Sequence, residues 1–106
     1  MKKMLALAAT AVALVTLVPA ANAASFNCTG RLTVTEAVIC QNPRLSALDS
    51  RLATYYFSNL RSVPRSVRPA ARSEQAGWLR RRNGCGANIG CLTASYKDRI
   101  NDFVGE

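Results

Sequence analysis

Apolar residues after position 23 recur every three or four residues, which is the spacing of one face of an α-helix. Between Pro43 and Arg61 this stripe consists of Leu45, Leu48, Leu52, Tyr55, Tyr56 and Leu60. Between Asn88 and about Val104 it consists of Leu92, Tyr96, Ile100 and Phe103. No stretch shows the strict alternation of a half-buried strand. The pattern therefore predicts an all-α fold.

Two further helices complete the predicted bundle. Thr33 followed by Glu36 has the form of a capping box and begins a short helix, Val34–Cys40. Asn42 then serves as N-cap of the long helix, with Pro43 at its first position. The expected architecture is three main helices and a short N-terminal one.

The third main helix has an ambiguous start and a defined end. Pro64 or Pro69 could each open it, and it continues to about Arg82. Asn83 and Gly84 are expected to end it, with Gly84 in the left-handed conformation that glycine tolerates.

Four polar residues fall on the apolar faces of three different helices: Asp49, Gln75, Arg82 and Arg99. An unpaired charge in a core is costly. We therefore expect these residues to form one structural network, in which Asp49 pairs with Arg99 or with Arg82.

Two aromatic residues are candidate anchors of the core. Trp78, the single tryptophan, shares the apolar face of the third helix, and Tyr96 lies on the stripe of the fourth. A core position is the favoured interpretation for Trp78, with an interface anchor as the alternative.

Residues 1–23 have the pattern of a secretory signal peptide. Lys2 and Lys3 precede an apolar stretch, and Ala21-Asn22-Ala23 fits the small-x-small cleavage rule. The chain is thus expected to divide into a signal peptide, 1–23, and one helical domain, 24–106. No cysteine directly follows the cleavage site, so no lipid anchor is expected, and the protein should be periplasmic or secreted.

Four cysteines in such a compartment predict two disulfides. They allow three pairings, of which the local pairs Cys28–Cys40 and Cys85–Cys91 are favoured. A zinc site is the weaker alternative, because the spacing has no C-x2-4-C element and the chain has no histidine. We expect neither a metal nor a cofactor.

The domain is strongly basic. Residues 24–106 contain 12 basic and 6 acidic residues, a net charge of +6, and eleven of the basic residues are arginine. Arg80 and Arg81 point away from the inward stripe of the third helix, and Arg65 and Arg68 precede it. These four are candidate partner-binding residues, since arginine suits carboxylate and phosphate contacts. A solvated basic face is the alternative.

Several classes of function lack the residues they require. Without histidine or a G-x-S-x-G turn, and with the cysteines expected to be oxidised, the chain offers no acid–base or nucleophilic constellation. We therefore expect a protein that is not an enzyme. No nucleic-acid-binding motif accompanies the positive charge, so nucleic acid is not an expected partner.

The two halves of the domain together resemble the LprI-type lysozyme-inhibitor family, specifically its N-terminal helical domain. The first half of the resemblance is Cys28, then EAVIC from Glu36, then LSALD from Leu45. The second half is Gln75-x2-Trp78-Leu79-x2-Arg82-Asn83-x-Cys85, followed by Cys91-Leu92-x3-Tyr96-x2-Arg99-Ile100. The resemblance covers essentially all of residues 24–106, although a lipobox is missing.

The resemblance implies a helical domain that inhibits lysozyme or another peptidoglycan-cleaving enzyme by occluding its cleft. Exposed arginines would supply hydrogen bonds to the cleft carboxylates. Two alternatives from the composition stay open: a polyanion- or envelope-binding accessory protein, and an envelope scaffold with a dedicated protein partner.

Overall fold

The computed structural model describes residues 24–105. Four α-helices and one short 3-10 helix account for most of them: α1 (Val34–Gln41), α2 (Pro43–Ser62), the 3-10 helix (Arg65–Val67), α3 (Arg68–Asn83) and α4 (Ile89–Val104). No strand occurs within 24–105. The predicted all-α, disulfide-linked bundle is confirmed. The predicted signal peptide lies outside the described residues.

The first two helices begin at the predicted caps. The Thr33 hydroxyl accepts a hydrogen bond from the backbone N–H of Glu36, and the Glu36 carboxylate accepts one from the backbone of Thr33, so the capping box is complete. The Asn42 side chain accepts from the backbone N–H of Leu45, and Pro43 follows it. Together these bonds satisfy helix donors that would otherwise have no partner.

Both prolines proposed as the start of the third helix are used. Pro64 precedes the 3-10 helix, and Pro69 lies in the first turn of α3. The helix ends at Asn83 with Gly84 as its C-cap, as predicted. The left-handed conformation expected for Gly84 was wrong, since its φ is −64°. The positive φ falls two residues later, at Gly86, where it is 60°.

The core is a single cluster made by one side of each helix. Seven hydrophobic residues are buried in it: Ile39, Leu45, Leu52, Trp78, Leu92, Tyr96 and Ile100. Few apolar residues of α3 enter this core, since Trp78 is buried whereas Leu79 is 37% exposed. Val67, just before the helix, is 45% exposed. With few apolar residues on α3, its attachment depends heavily on polar contacts.

The contacts between helices define their directions. Arg82 lies near Asp49, and Gln75 and Tyr56 line the same groove farther along, so α2 and α3 run antiparallel. Arg82 contacts Tyr96, whereas Gln75 contacts Arg99, so α3 and α4 also run antiparallel. It follows that α2 and α4 run in the same direction.

Two disulfides fasten the ends of this arrangement. Cys28 is bonded to Cys40, which ties the segment before α1 to the end of that helix. Cys85 is bonded to Cys91 across the turn between α3 and α4. The favoured local pairing is thereby confirmed.

The disulfides indicate an oxidising compartment, extracellular or periplasmic, because such bonds persist there. None of the helices within 24–105 has the length and apolar character needed to cross a membrane.

The two disulfides should differ in their effect on stability. In the chain-entropy model each stabilises a domain of this size by about 2–3 kcal/mol, the longer loop slightly more. The Cys28–Cys40 bond also holds the segment that contacts Asp49. We therefore expect Cys28→Ser/Cys40→Ser to lower the free energy of unfolding more than Cys85→Ser/Cys91→Ser in urea titrations. A larger loss from the second pair would contradict this assignment.

Candidate binding surface

The buried carboxylate of Asp49 is the centre of a cluster that joins four segments of the chain, which we call the Asp49 cluster. Asp49 is 5% exposed. Its Oδ1 accepts a hydrogen bond from the Tyr96 hydroxyl at 2.7 Å. Its Oδ2 accepts from the backbone N–H of Ser25 at 2.6 Å and also from the Ser25 hydroxyl. Both oxygens of the buried carboxylate are therefore satisfied.

Arg82 balances the charge of Asp49 and packs between aromatic rings. Its Nη1 donates to the Tyr96 hydroxyl at 3.2 Å and lies 3.9 Å from Asp49 Oδ1. The guanidinium carbon lies 6.0 Å from the centre of the Phe26 ring and 5.9 Å from that of Trp78. Such contacts offset part of the cost of removing a guanidinium from water.

The Tyr96 hydroxyl bridges this ion pair. Burial is the main cause that raises the pKa of Tyr96, and the Asp49 carboxylate adds to it, while Arg82 acts in the opposite direction. The neutral hydroxyl is thus strongly favoured over the phenolate. Trp78 packs edge-on against the Tyr96 ring, with the ring centres 5.2 Å apart.

Arg99 belongs to a second cluster, so the expectation of one network is corrected. Its Nε donates to the Gln75 side chain at 3.1 Å, and its Nη1 donates to Asp102 at 3.3 Å. Its Nη2 lies 3.7 Å from Glu74. Of the two partners expected for Asp49, the structure selects Arg82. Arg99 instead holds the far end of α3 against α4.

Arg80 and Arg81 lie on the exposed side of α3 and approach the same point. A Cβ built on Gly77 would lie 3.5 Å from an Nη atom of Arg81 and 3.7 Å from one of Arg80. Both guanidiniums therefore fold over the surface left open by this glycine. Neither makes a hydrogen bond or ion pair within the described chain. We call these two side chains the Gly77 arginine pair.

The other two candidate partner-binding residues differ from each other. Arg68 is half-buried and donates to the backbone carbonyls of Val63 and Arg61 at 3.3 Å, where α2 ends. Its guanidinium thus has a structural use. Arg65 is exposed, and no partner occurs for its side chain among residues 24–105. The four arginines do not form one continuous patch by any contact in the structure.

Most of the positive charge in the described chain is unpaired. The three ion pairs within 24–105 use only Arg82 and Arg99 as cations. Nine other cations make neither an ion pair nor a hydrogen bond there, namely Arg31, Arg44, Arg51, Arg61, Arg65, Arg72, Arg80, Arg81 and Lys97. A surface with this imbalance favours anionic partners.

Among residues 24–105, the carboxylates of Asp49 and Glu36 have internal partners and all four cysteines are disulfide-bonded. Both oxygens of Asp49 accept internal hydrogen bonds, and Glu36 caps α1. Within 24–105 no three His, Cys, Asp or Glu residues are arranged to hold a metal ion. Several exposed guanidiniums of the described chain, by contrast, have unused hydrogen-bonding capacity.

Comparison with protein-family models, with curated proteins and with solved structures finds no match for this chain. The resemblance to the LprI-type family therefore remains a hypothesis.

The periodicity of the helices does not reveal three polar contacts of the core. Ser25 precedes the first helix, so no stripe includes it. The Ser46 hydroxyl donates to the Ile39 carbonyl at 2.6 Å, and the Thr35 hydroxyl donates to the Gly86 carbonyl at 2.8 Å. A small hydroxyl residue within a helix is too common a pattern to identify such contacts.

The bridging hydroxyl of Tyr96 should contribute measurably to stability. Tyr96→Phe leaves Asp49 Oδ1 without its short hydrogen bond, and an unsatisfied buried group costs about 1–3 kcal/mol. We expect the free energy of unfolding in urea to fall by that amount. Tyr55→Phe is the matched control, since the Tyr55 hydroxyl makes no hydrogen bond to any residue of 24–105, and it should change stability by less than about 0.5 kcal/mol. Equal effects of the two substitutions would contradict the bridging role.

The same hydroxyl predicts a pH dependence at high pH. The pKa of Tyr96 is raised in the folded state, so its contribution to stability is complete below the unfolded pKa of about 10. As the pH rises above about 10, the unfolded state loses this proton first, and stability should fall by up to about 1.4 kcal/mol per pH unit. Urea unfolding between pH 9 and pH 11.5 should show this decline in the parent and in Tyr55→Phe, with a shallower one in Tyr96→Phe. Parallel slopes in all three would refute it.

Proposed function

We propose that this protein is a secreted or periplasmic binding protein that inhibits lysozyme or a related peptidoglycan-cleaving enzyme by occluding its cleft. The observation that carries the proposal is the Gly77 arginine pair, two exposed guanidiniums near one point that have no partner among residues 24–105. Two like charges held close together gain most when an anionic group lies between them.

The chemistry of the target supplies such groups. Glycosidases of this kind use two carboxyl groups flanking the scissile bond, and both must be accessible to substrate. A guanidinium can form two parallel hydrogen bonds with a carboxylate. Arg80 or Arg81 placed in the cleft would therefore compete directly with substrate.

The compartment agrees with this target. The two disulfides belong to an oxidising environment, where the cell wall is located. The signal-peptide pattern of residues 1–23, with no cysteine directly after it, supports export without a lipid anchor. The resemblance to the LprI-type family supports the same activity.

The alternative function is binding of an anionic envelope polymer, and the spread of nine unpaired cations favours it. The salt dependence of binding distinguishes the two functions. Binding of a polyanion by scattered charges weakens steeply as salt rises. Because c-type lysozymes are themselves basic, inhibition must depend on a short-range contact and should survive moderate salt.

The inhibition hypothesis is tested by a cell-wall clearing assay with the oxidised protein, titrated against lysozymes of several types at low and moderate salt. We expect saturable, near-stoichiometric inhibition of one type. Arg80→Ala/Arg81→Ala should weaken it by at least about tenfold, since arginines in contact with carboxylates are frequent hot spots. The loss should appear in the inhibition constant and not in stability.

The matched control is Arg31→Ala/Arg72→Ala, which removes the same charge from two exposed residues that have no side-chain partner in the described part of the chain. It should inhibit like the parent. Inhibition unchanged by the loss of the Gly77 arginine pair would refute the proposed contact, and no inhibition of any type would refute the function.

A further inference from the structure

A concave surface lined by cationic and apolar residues lies between α2 and α4. This groove has a volume of about 500 Å³ and is lined by Asn42, Arg44, Ala47, Leu48, Arg51, Ile89, Thr93 and Lys97. We call it the α2/α4 groove. Its volume falls in the range typical of sites for small organic ligands.

The charged residues of the groove all have the same sign. Arg44, Arg51 and Lys97 are exposed and make no ion pair or hydrogen bond within 24–105. No carboxylate lines the groove. Three cations around one concavity raise the local potential, and they repel one another until an anion enters.

The spacing of residues along each helix determines where each cation lies along the groove. Arg44, Leu48 and Arg51 follow at steps of four and three residues, so they form one ridge on α2. Lys97 follows Ile89 and Thr93 at steps of four along α4. Since α2 and α4 run in the same direction, Arg51 and Lys97 belong to the same end of the groove.

The opposite end of the groove is bordered by two helix N-termini. Asn42 caps α2, and Ile89 is the first residue of α4. The positive ends of both helix dipoles therefore add to the charge of Arg44. The charged residues that line the groove and the two helix N-termini at its end thus all favour an anion.

Apolar side chains also line the groove beside these charged groups. Ile89 is 50% exposed, Leu48 is half-buried, and Ala47 is exposed beside them. A free inorganic anion would leave these side chains in water. A ligand with both an anionic group and an aliphatic chain would cover them, at about 25 cal/mol for each Å² of apolar area removed from water.

We propose that the α2/α4 groove binds an anionic amphiphile, specifically the phosphate headgroup and the first part of the acyl chain of a membrane phospholipid. The phosphate lies between Arg51 and Lys97, and the chain lies along Leu48 and Ile89. Arginine and lysine together provide directed hydrogen bonds and a compact charge for a phosphate.

The test uses the full oxidised protein and monomeric dodecyl phosphate, with binding followed by calorimetry. Inorganic phosphate and a neutral dodecyl maltoside are the comparison probes. We expect saturable one-to-one binding of dodecyl phosphate and binding at least about tenfold weaker for each comparison probe, because each lacks half of the recognised chemistry. Equal affinity for either comparison probe, or no saturable binding, would overturn the proposal.

Variants locate the site. Arg51→Ala/Lys97→Ala should weaken dodecyl phosphate binding by at least about tenfold, which is the loss expected for two charge-assisted contacts. Arg31→Ala/Arg72→Ala removes an equal charge from two exposed residues outside the groove and should bind like the parent. Ile89→Ser should weaken binding of dodecyl phosphate but not of inorganic phosphate. An equal effect of the two double substitutions would show attraction by net charge alone and would contradict a site in the groove.

Discussion

The structure depends on one constraint, which is that a carboxylate lies in the core of a small domain. Asp49 is 5% exposed, and a buried charge without partners costs more than a domain of this size can lose. Its partners come from α3, α4 and the segment before α1, so satisfying it brings these elements to α2. Removing one partner of a buried ion pair typically costs about 3–5 kcal/mol.

The same constraint divides the arginines into two groups. Arg82 and Arg99 are buried and compensated, and they attach α3 to its neighbours where apolar contacts are sparse. Nine surface cations among residues 24–105 make no ion pair or hydrogen bond there. Because the folding network does not involve them, they can be substituted to examine binding separately from folding. This separation makes the two proposed surfaces, the Gly77 arginine pair and the α2/α4 groove, independently testable.

Helical periodicity, together with the capping motifs, was sufficient to predict the four helices and the inward direction of Asp49, Arg82 and Arg99, but not where the third helix begins. Periodicity was insufficient to choose between the two arginines as the partner of Asp49, because that choice depends on the relative axial positions of α3 and α4. Ser25 lies in a coil, for which no periodicity exists. Gly84 was expected to be left-handed because it follows the helix, but the disulfide-bonded turn places the positive φ at Gly86.

The two proposed binding surfaces could likewise be predicted only in part from helical geometry. Helical geometry predicts that Arg80 and Arg81 are exposed, yet their approach to Gly77 depends on side-chain conformations. The α2/α4 groove combines residues about 45 positions apart, and only the parallel alignment of α2 and α4 brings Arg51 near Lys97. Patterns within one helix contain no information about this alignment.

The central claim, that the Asp49 cluster joins three helices and the N-terminal segment into one cooperative unit, is tested most directly by native-state amide hydrogen exchange. The account predicts that backbone amides near Asp49, Arg82 and Tyr96 exchange with the same free energy, equal to that of global unfolding. If the amides of α3 exchange through a local opening of much lower free energy, while α2 and α4 remain protected, the cluster does not hold the fold together.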